Sequence, residues 1–206
     1  MGARGRPRGF DRDEALAKAV DLFWRHGYEG VSIADLSAGM GIASPSLYAA
    51  FGCKEQLFFE AVERFGETNG NRMVSALIGA NTARAGVAAM LNAMAECVTT
   101  DGKPTGCMIT LAATNCSPAN DRVVEKLCEN RRAVVDALKL RLARAVGDGE
   151  LPGTTDVDSL ATFYATVLNG LSLQARDGAT RDALLATVDH AMAAFERVAR
   201  TNGAPA

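Results

Sequence analysis

Five cysteines and two histidines are the side chains with the most obvious reactive potential in this 206-residue chain. A thiol hydrolase needs a histidine beside its cysteine, and His26 and His190 have no evident partner. Cys53, Cys97, Cys107, Cys116 and Cys128 are odd in number and contain no Cys-x-x-Cys pair. Neither a disulfide framework nor a zinc site is therefore expected. A glycine-rich phosphate loop and a metal-ligand cluster are also missing from the pattern, so no enzymatic role and no cofactor is expected. What remains is thiol chemistry. Cys107 follows Gly106 at an expected helix start, where the helix dipole lowers a thiol pKa, and Cys53 stands next to Lys54 at another. Such thiols can be oxidised or alkylated. The plain alternative for Cys107 is a small buried apolar residue. Cys116 and Cys128 read as helix-face packing.

A second group of residues could do recognition chemistry. In "GIASPSLYAAFGCKEQLF" (residues 41–58) Ser44 can cap a helix and Pro45 suits its first position. The tip then presents Ser44, Pro45 and Ser46, whose hydroxyls can bond phosphates or base edges. Tyr48 lies four residues beyond Ser44 on the same face. Lys54 begins the next helix, offering a charge and backbone N–H groups to a phosphate. At the N-terminus Arg4, Arg6 and Arg8 flank Gly5 and Pro7 with no acid nearby. An extended arginine arm of this kind enters narrow minor grooves; the alternative is a solubilising tail.

The elements that must position these groups are helical throughout. Asp11 with Glu14 starts a helix carrying Leu16, Ala19, Val20 and Phe23 on one face. Ser32 caps a short second helix with Asp35 in its first turn. Leu36, Met40, Ile42 and Leu47 can lock that helix to the next, across a turn where Gly41 reaches positive φ easily. The spacing from Ile33 to Ala50 is that of a helix-turn-helix. Long helices follow: 54–79, one after Thr82, a short one at 107–113, one from Ser117-Pro118 to 146, one capped by Thr155 and Asp158, and a last one capped by Thr180. The fold class is all-α: a basic arm (1–10), a helix-turn-helix unit (11–55) and a helical domain (56–201). Hydrophobic residues make up 48% and charged residues 22% of the chain, with a net charge of −2. That is a globular composition, with nothing global that demands an acidic partner. No run approaches the ~18 apolar residues of a membrane span, and a cytoplasmic location is expected.

Within the helical domain, Met73, Met90, Met94, Cys97, Cys107, Met108, Phe163, Tyr164 and Asn169 are candidates to line a ligand pocket, since Met suits adaptable apolar cavities. Each could equally pack a core. A mainly apolar small effector is expected. Leu160, Val167 and Leu171, then Leu184, Val188, Met192 and Phe195, form two apolar stripes near the chain's end. They suit either the internal core or a dimer interface. The dimer is favoured, because a short recognition helix gains affinity from two half-sites.

Residues 21–65 resemble the DNA-binding domain of the TetR family of transcriptional regulators. The match is carried by Gly27-Tyr28, Ser32, Gly41-Ile42, Leu47-Tyr48, Phe51, Lys54-Glu55 and Leu57. "GCMI", "DGELP" and "NGLSLQARDGATRDALL" are similar to one C-terminal type of the family. The resemblance implies about nine helices, a homodimer joined through the last two long helices, a pocket in the helical domain, and release from a pseudo-palindromic double-stranded operator when a small molecule binds. In similar members a Gly-Cys at this point answers electrophiles, which implies a redox- or electrophile-sensing alternative through Cys107. A sequence-tolerant architectural DNA-binding protein is the remaining one. Pro45 replaces a frequent Gly, Ala43-Ser44 a frequent Ser-Lys, and Cys53 a capping Ser or Asp, so base preference does not transfer from better-known members.

Overall fold

The computed structural model describes residues 10–200, and within them ten α-helices and no strand. The expected arm at Arg4, Arg6 and Arg8 lies outside the described residues.

Helix α1 (Arg12–His26) starts where Asp11 Oδ1 accepts from the N–H groups of Asp13 and Glu14, and it ends at Gly27. Helix α2 (Ile33–Met40) carries a full capping box: Ser32 accepts from Asp35 N, and the Asp35 carboxylate accepts from Ser32 N. Gly41 then turns at φ 72° and ψ 30°, the left-handed conformation expected of it. Helix α3 (Ser44–Phe51) follows, and Ala43, not Ser44, is its cap residue, with no side-chain cap bond. Pro45 inside the first turn sacrifices no intrahelical bond. Helix α4 (Lys54–Phe65) packs on α1 around aromatic rings. Phe23 and Phe58 meet edge-on at 5.0 Å, Tyr28 and Phe58 at 5.1 Å, and Trp24 and Phe65 at 4.8 Å.

The helix expected to run unbroken from 54 to 79 contains a π-helical turn over Gly66–Gly70 before α5 (Asn71–Gly79). Two glycines four residues apart weaken the normal ladder there. This break accounts for ten helices where about nine were implied. Helix α6 (Ala83–Val98), capped by Thr82, lies against α5. Helix α7 (Met108–Leu111) is one turn long. A 3-10 turn over Pro118–Asn120 leads into α8 (Asp121–Gly147). Helix α9 (Val157–Arg176) is capped by Asp156, not by the expected Thr155 and Asp158, and α10 (Arg181–Arg200) closes the domain over α6 and α9.

The two terminal stripes are the main correction to the sequence reading. Leu160, Leu171, Leu184, Val188, Met192 and Phe195 are all buried within the single chain, and Val167 is half-buried. Tyr164 is buried beside them, its hydroxyl donating to Ala191 O at 3.3 Å. The most apolar stripe of each helix is spent on the chain's own core, where burial yields about 25 cal/mol per Å². Their outward faces carry a mixed stripe instead, with Phe163 40% and Leu173 49% exposed.

The unit formed by α1–α4 rests on the rest of the chain through the end of α1. Tyr28 N–H donates to Ala112 O at 2.8 Å. Gly27 makes this possible, since a Cβ there would stand 2.9 Å from Ala112 O. Its φ of 71° with ψ of 176° is a conformation essentially confined to glycine. Gly27→Ala should therefore lower unfolding free energy by about 3 kcal/mol. Gly41→Ala has open space around its Cβ and should cost only about 1–2 kcal/mol for its left-handed backbone. Urea unfolding of the two variants checks the order.

Candidate nucleic-acid interface and internal cavity

The exposed tip of the molecule is the helix-turn-helix expected from sequence. Its geometry is held by Leu36, Met40 and Leu47, all buried, and by a hydrogen bond between the hydroxyls of Ser37 and Ser44 at 3.0 Å. Arg12 adds a tether that sequence reasoning missed. Its guanidinium donates to both Glu60 carboxylate oxygens at 2.7 Å, reaches Ala50 O at 3.3 Å and lies 4.4 Å from the centre of the Phe51 ring. One side chain thus joins α1, α3 and α4. Contacts separated by 38 and 48 residues leave no local signal.

On the outer face, Pro45 and Tyr48 are exposed and Ser44 and Ser46 half-buried. Tyr48, at 49% exposure, presents its ring and hydroxyl to solvent. Ser44 differs from expectation: its hydroxyl is engaged with Ser37, which fixes α3 on α2. Ser32 is likewise engaged, donating to Asp35 Oδ2 at 2.6 Å while accepting from Asp35 N at 3.1 Å. Donation from the Ser32 hydroxyl, and from the Ser32 N–H at 2.8 Å, holds the Asp35 carboxyl below its usual range. Lys54 is half-buried at the start of α4, its ammonium 4.3 Å from the centre of the Tyr28 ring. Desolvation lowers its pKa, while Glu29 opposes the shift. Gln56 Oε1 accepts from Cys53 N–H at 3.2 Å, the reciprocal half of a capping box, which does not depend on the residue type at 53.

Below this unit, the helical domain holds a half-open cavity of about 510 Å³, the size of a small-molecule site. Of the residues expected there, Met73, Met94, Cys107 and Asn169 line it. The others do not. Met90, Met108 and Tyr164 are buried in the packed core, Cys97 bonds Asn69, and Phe163 is on the surface. The wall includes groups that sequence did not single out: Phe65 from the end of α4, Gly66 and Gly70 from the π turn, and Cys128 and Arg131 from α8. Periodicity finds the apolar face of a helix but not which part of it faces a void.

Cys107 follows the plain alternative, a small buried residue, and not the reactive one. Its thiol is buried, and desolvation pushes its pKa up, with bonds to Thr110 opposing the shift. Burial likewise pushes Cys97 up to about 11. The short α7 has too little dipole to overcome that. The Cys107 N–H, moreover, donates to Ser172 Oγ at 2.8 Å.

The cavity wall and the α1–α4 unit share one connecting segment. Trp24 Nε1 donates to Gly106 O at 2.8 Å, and Tyr28 N–H to Ala112 O. Between those carbonyls lie Cys107, Ile109 and Thr110, all in the wall. Among the described residues no cluster of His, Cys, Asp and Glu could hold a metal, and no helix is long and apolar enough to cross a membrane.

Two family models match this chain: the one for bacterial regulatory proteins of the tetR family covers residues 15–61, and the one for tetracyclin repressor-like C-terminal domains covers 83–184. The chain is 35% identical to the HTH-type transcriptional repressor ComR of Escherichia coli strain K12, over 89% of its own length and 88% of ComR. It is 28% identical to the HTH-type transcriptional repressor BdcR of the same strain, over 94% of this chain and 93% of BdcR. A solved structure of the TetR family transcriptional regulator CifR, a triple cysteine mutant complexed with 26-bp double-strand operator DNA, superposes with a TM-score of 0.89. It is 46% identical, covering 92% of this chain and 99% of that one. The helix-turn-helix, the helical domain behind it and these likenesses agree, and the chain belongs to the TetR family of transcriptional regulators.

Proposed function

We propose that this protein is a homodimeric repressor that holds a pseudo-palindromic operator through α3 of each protomer and releases it when a small molecule fills the cavity. The observation that carries this is structural adjacency. The segment from Gly106 to Ala112 is at once a wall of the cavity and the support of α1. A ligand that displaces α7 must move or release Tyr28 and Trp24, and with them the angle of the recognition tip. The π turn at Gly66–Gly70 offers a second route, since it borders the cavity in the helix that leads back to α4. The ComR and BdcR likenesses support repression, and the CifR complex supports binding to double-stranded DNA.

On the tip, Tyr48 and the N-terminal end of α4 with Lys54 serve phosphates, and Pro45 with Ser46 faces the base edges. The arm with Arg4, Arg6 and Arg8 adds minor-groove contacts. For the dimer we assign the outward stripe of α9, Phe163, Thr166, Gly170 and Leu173, with Ala186, His190 and Ala193 of α10, all of them exposed on the single chain. Phe163 and Leu173 supply large apolar area and Gly170 allows close approach.

The electrophile alternative needs an accessible thiolate, and burial of Cys107 opposes one. Labelling with a maleimide at neutral pH should therefore modify exposed Cys53 well before Cys107, read by mass spectrometry of timed digests. Rapid loss of operator binding that tracks modification of Cys107, and is absent from Cys107→Ser, would favour the thiol mechanism instead.

Selection from random duplexes tests the central reading; an inverted repeat should emerge. Tyr48→Phe should weaken that duplex about three- to tenfold, the value of one hydrogen bond. Lys54→Ala should lower the salt slope by about one. Both should act alike on all sequences, whereas Ser46→Ala should alter base preference. Recovery of no preferred sequence would support the architectural alternative. Phe163→Glu with Leu173→Glu should turn the dimer into a folded monomer by sedimentation, because these side chains are outside the protomer core.

A further inference from the structure

The cavity that we read as the effector site has an uneven charge. Its wall contains Arg131 and Arg132 and not one aspartate or glutamate. Several other arginines are matched with carboxylates: Arg12 with Glu60, Arg72 with Glu96, Arg122 with Glu55, and Arg141 with Glu150; Arg176 and Arg181 bond neutral oxygens, but outside the cavity. Arg131 is half-buried and has only neutral acceptors among the described residues. Nη1 donates to Ile109 O at 2.8 Å and Nη2 to Cys128 Sγ at 3.1 Å. Sulfur is a weak acceptor, and three of the five guanidinium N–H donors have no described acceptor. Holding an unmatched cation partly out of water is costly unless an anion joins it. Thr110 and Asn169, themselves linked at 3.3 Å, add neutral polar groups to the wall, while Met73, Met94, Ile109 and Leu168 make it apolar elsewhere.

We infer that the effector is a small amphiphilic anion whose carboxylate or similar head is held by Arg131, with its apolar part against Met73, Met94 and Leu168. This deepens the proposed function and rests on the cavity being the effector site. It departs from the mainly apolar ligand expected from sequence. It also supplies a trigger. A charged oxygen is a stronger acceptor than a neutral carbonyl, so an anion competes with Ile109 O for the guanidinium. Losing that bond unfastens α8 from α7, the helix whose end supports Tyr28.

Calorimetric titration of the full chain with sodium octanoate and sodium benzoate, each against its neutral amide, reads the charge preference without DNA. At least one carboxylate should bind about tenfold or more tightly than its amide, the worth of a charge-assisted hydrogen bond. Arg131→Met should abolish the preference. Arg131→Lys, which retains the charge, should keep part of it and serves as the folded control. Equal binding of acid and amide by wild type, binding of neither acid, or an undiminished preference in Arg131→Met would each overturn the inference. Operator binding is measured separately in ligand-free buffer. Loss of operator binding with the preference intact would refute only the repressor reading.

Discussion

One backbone hydrogen bond, from Tyr28 N–H to Ala112 O, sets where the recognition helix can be. It lies just beyond the last turn of α1, where a polar group must find a partner or lose about 1–3 kcal/mol. Gly27 is the residue that lets the two backbones meet. Trp24 reinforces the junction through Gly106 O, and Arg176 does so by donating to Trp24 O and Arg25 O. On the other side Glu29 accepts from Ser117 N and Asn120 Nδ2, which lowers its pKa. The α1–α4 unit is therefore fastened to loops at both ends of the 107–117 region, not merely packed against it. Because α1 also carries Arg12, bonded to Glu60 and Ala50 O, any tilt of α1 is passed directly to α3.

The electrostatics of the molecule follow the same economy. A net charge of −2 gives no general attraction to nucleic acid. Affinity must come from a few placed groups, and several candidates carry structural duties as well. Ser44 fixes α3 to α2, Ser32 closes a helix cap, and Lys54 covers the Tyr28 ring. Tyr48 is a large side chain exposed on that face. The surface that reads DNA is thus small and stiff, and its orientation matters more than its charge. In the proposed dimer, a modest displacement of the cavity wall would misalign two tips at once.

Features decided by neighbours in sequence were legible without coordinates. The Ser32–Asp35 capping box and the left-handed Gly41 lie as expected, and α3 begins one residue earlier than expected, with Pro45 inside its first turn. Features decided by tertiary choice were not. An apolar stripe on α9 or α10 signals burial but not against what, so Leu160, Leu184 and Phe195 were equally compatible with core and interface. The pocket list failed for Met90, Met108 and Tyr164 for the same reason: helical period does not distinguish packed interior from the edge of a void. For Cys107 the helix start and the packed interior were both open readings in sequence, and burial decides for the packed one. Arg131 offered no warning, because its contact with Ile109 O joins residues 22 apart in sequence.

Amide hydrogen exchange at Tyr28 tests the account most directly. Any small molecule found to release the operator from the purified protein should, at the same concentration and without DNA, speed exchange of the Tyr28 amide while buried amides of the α9–α10 core remain protected. Operator release with Tyr28 exchange unchanged would contradict the coupling between cavity wall and recognition helix.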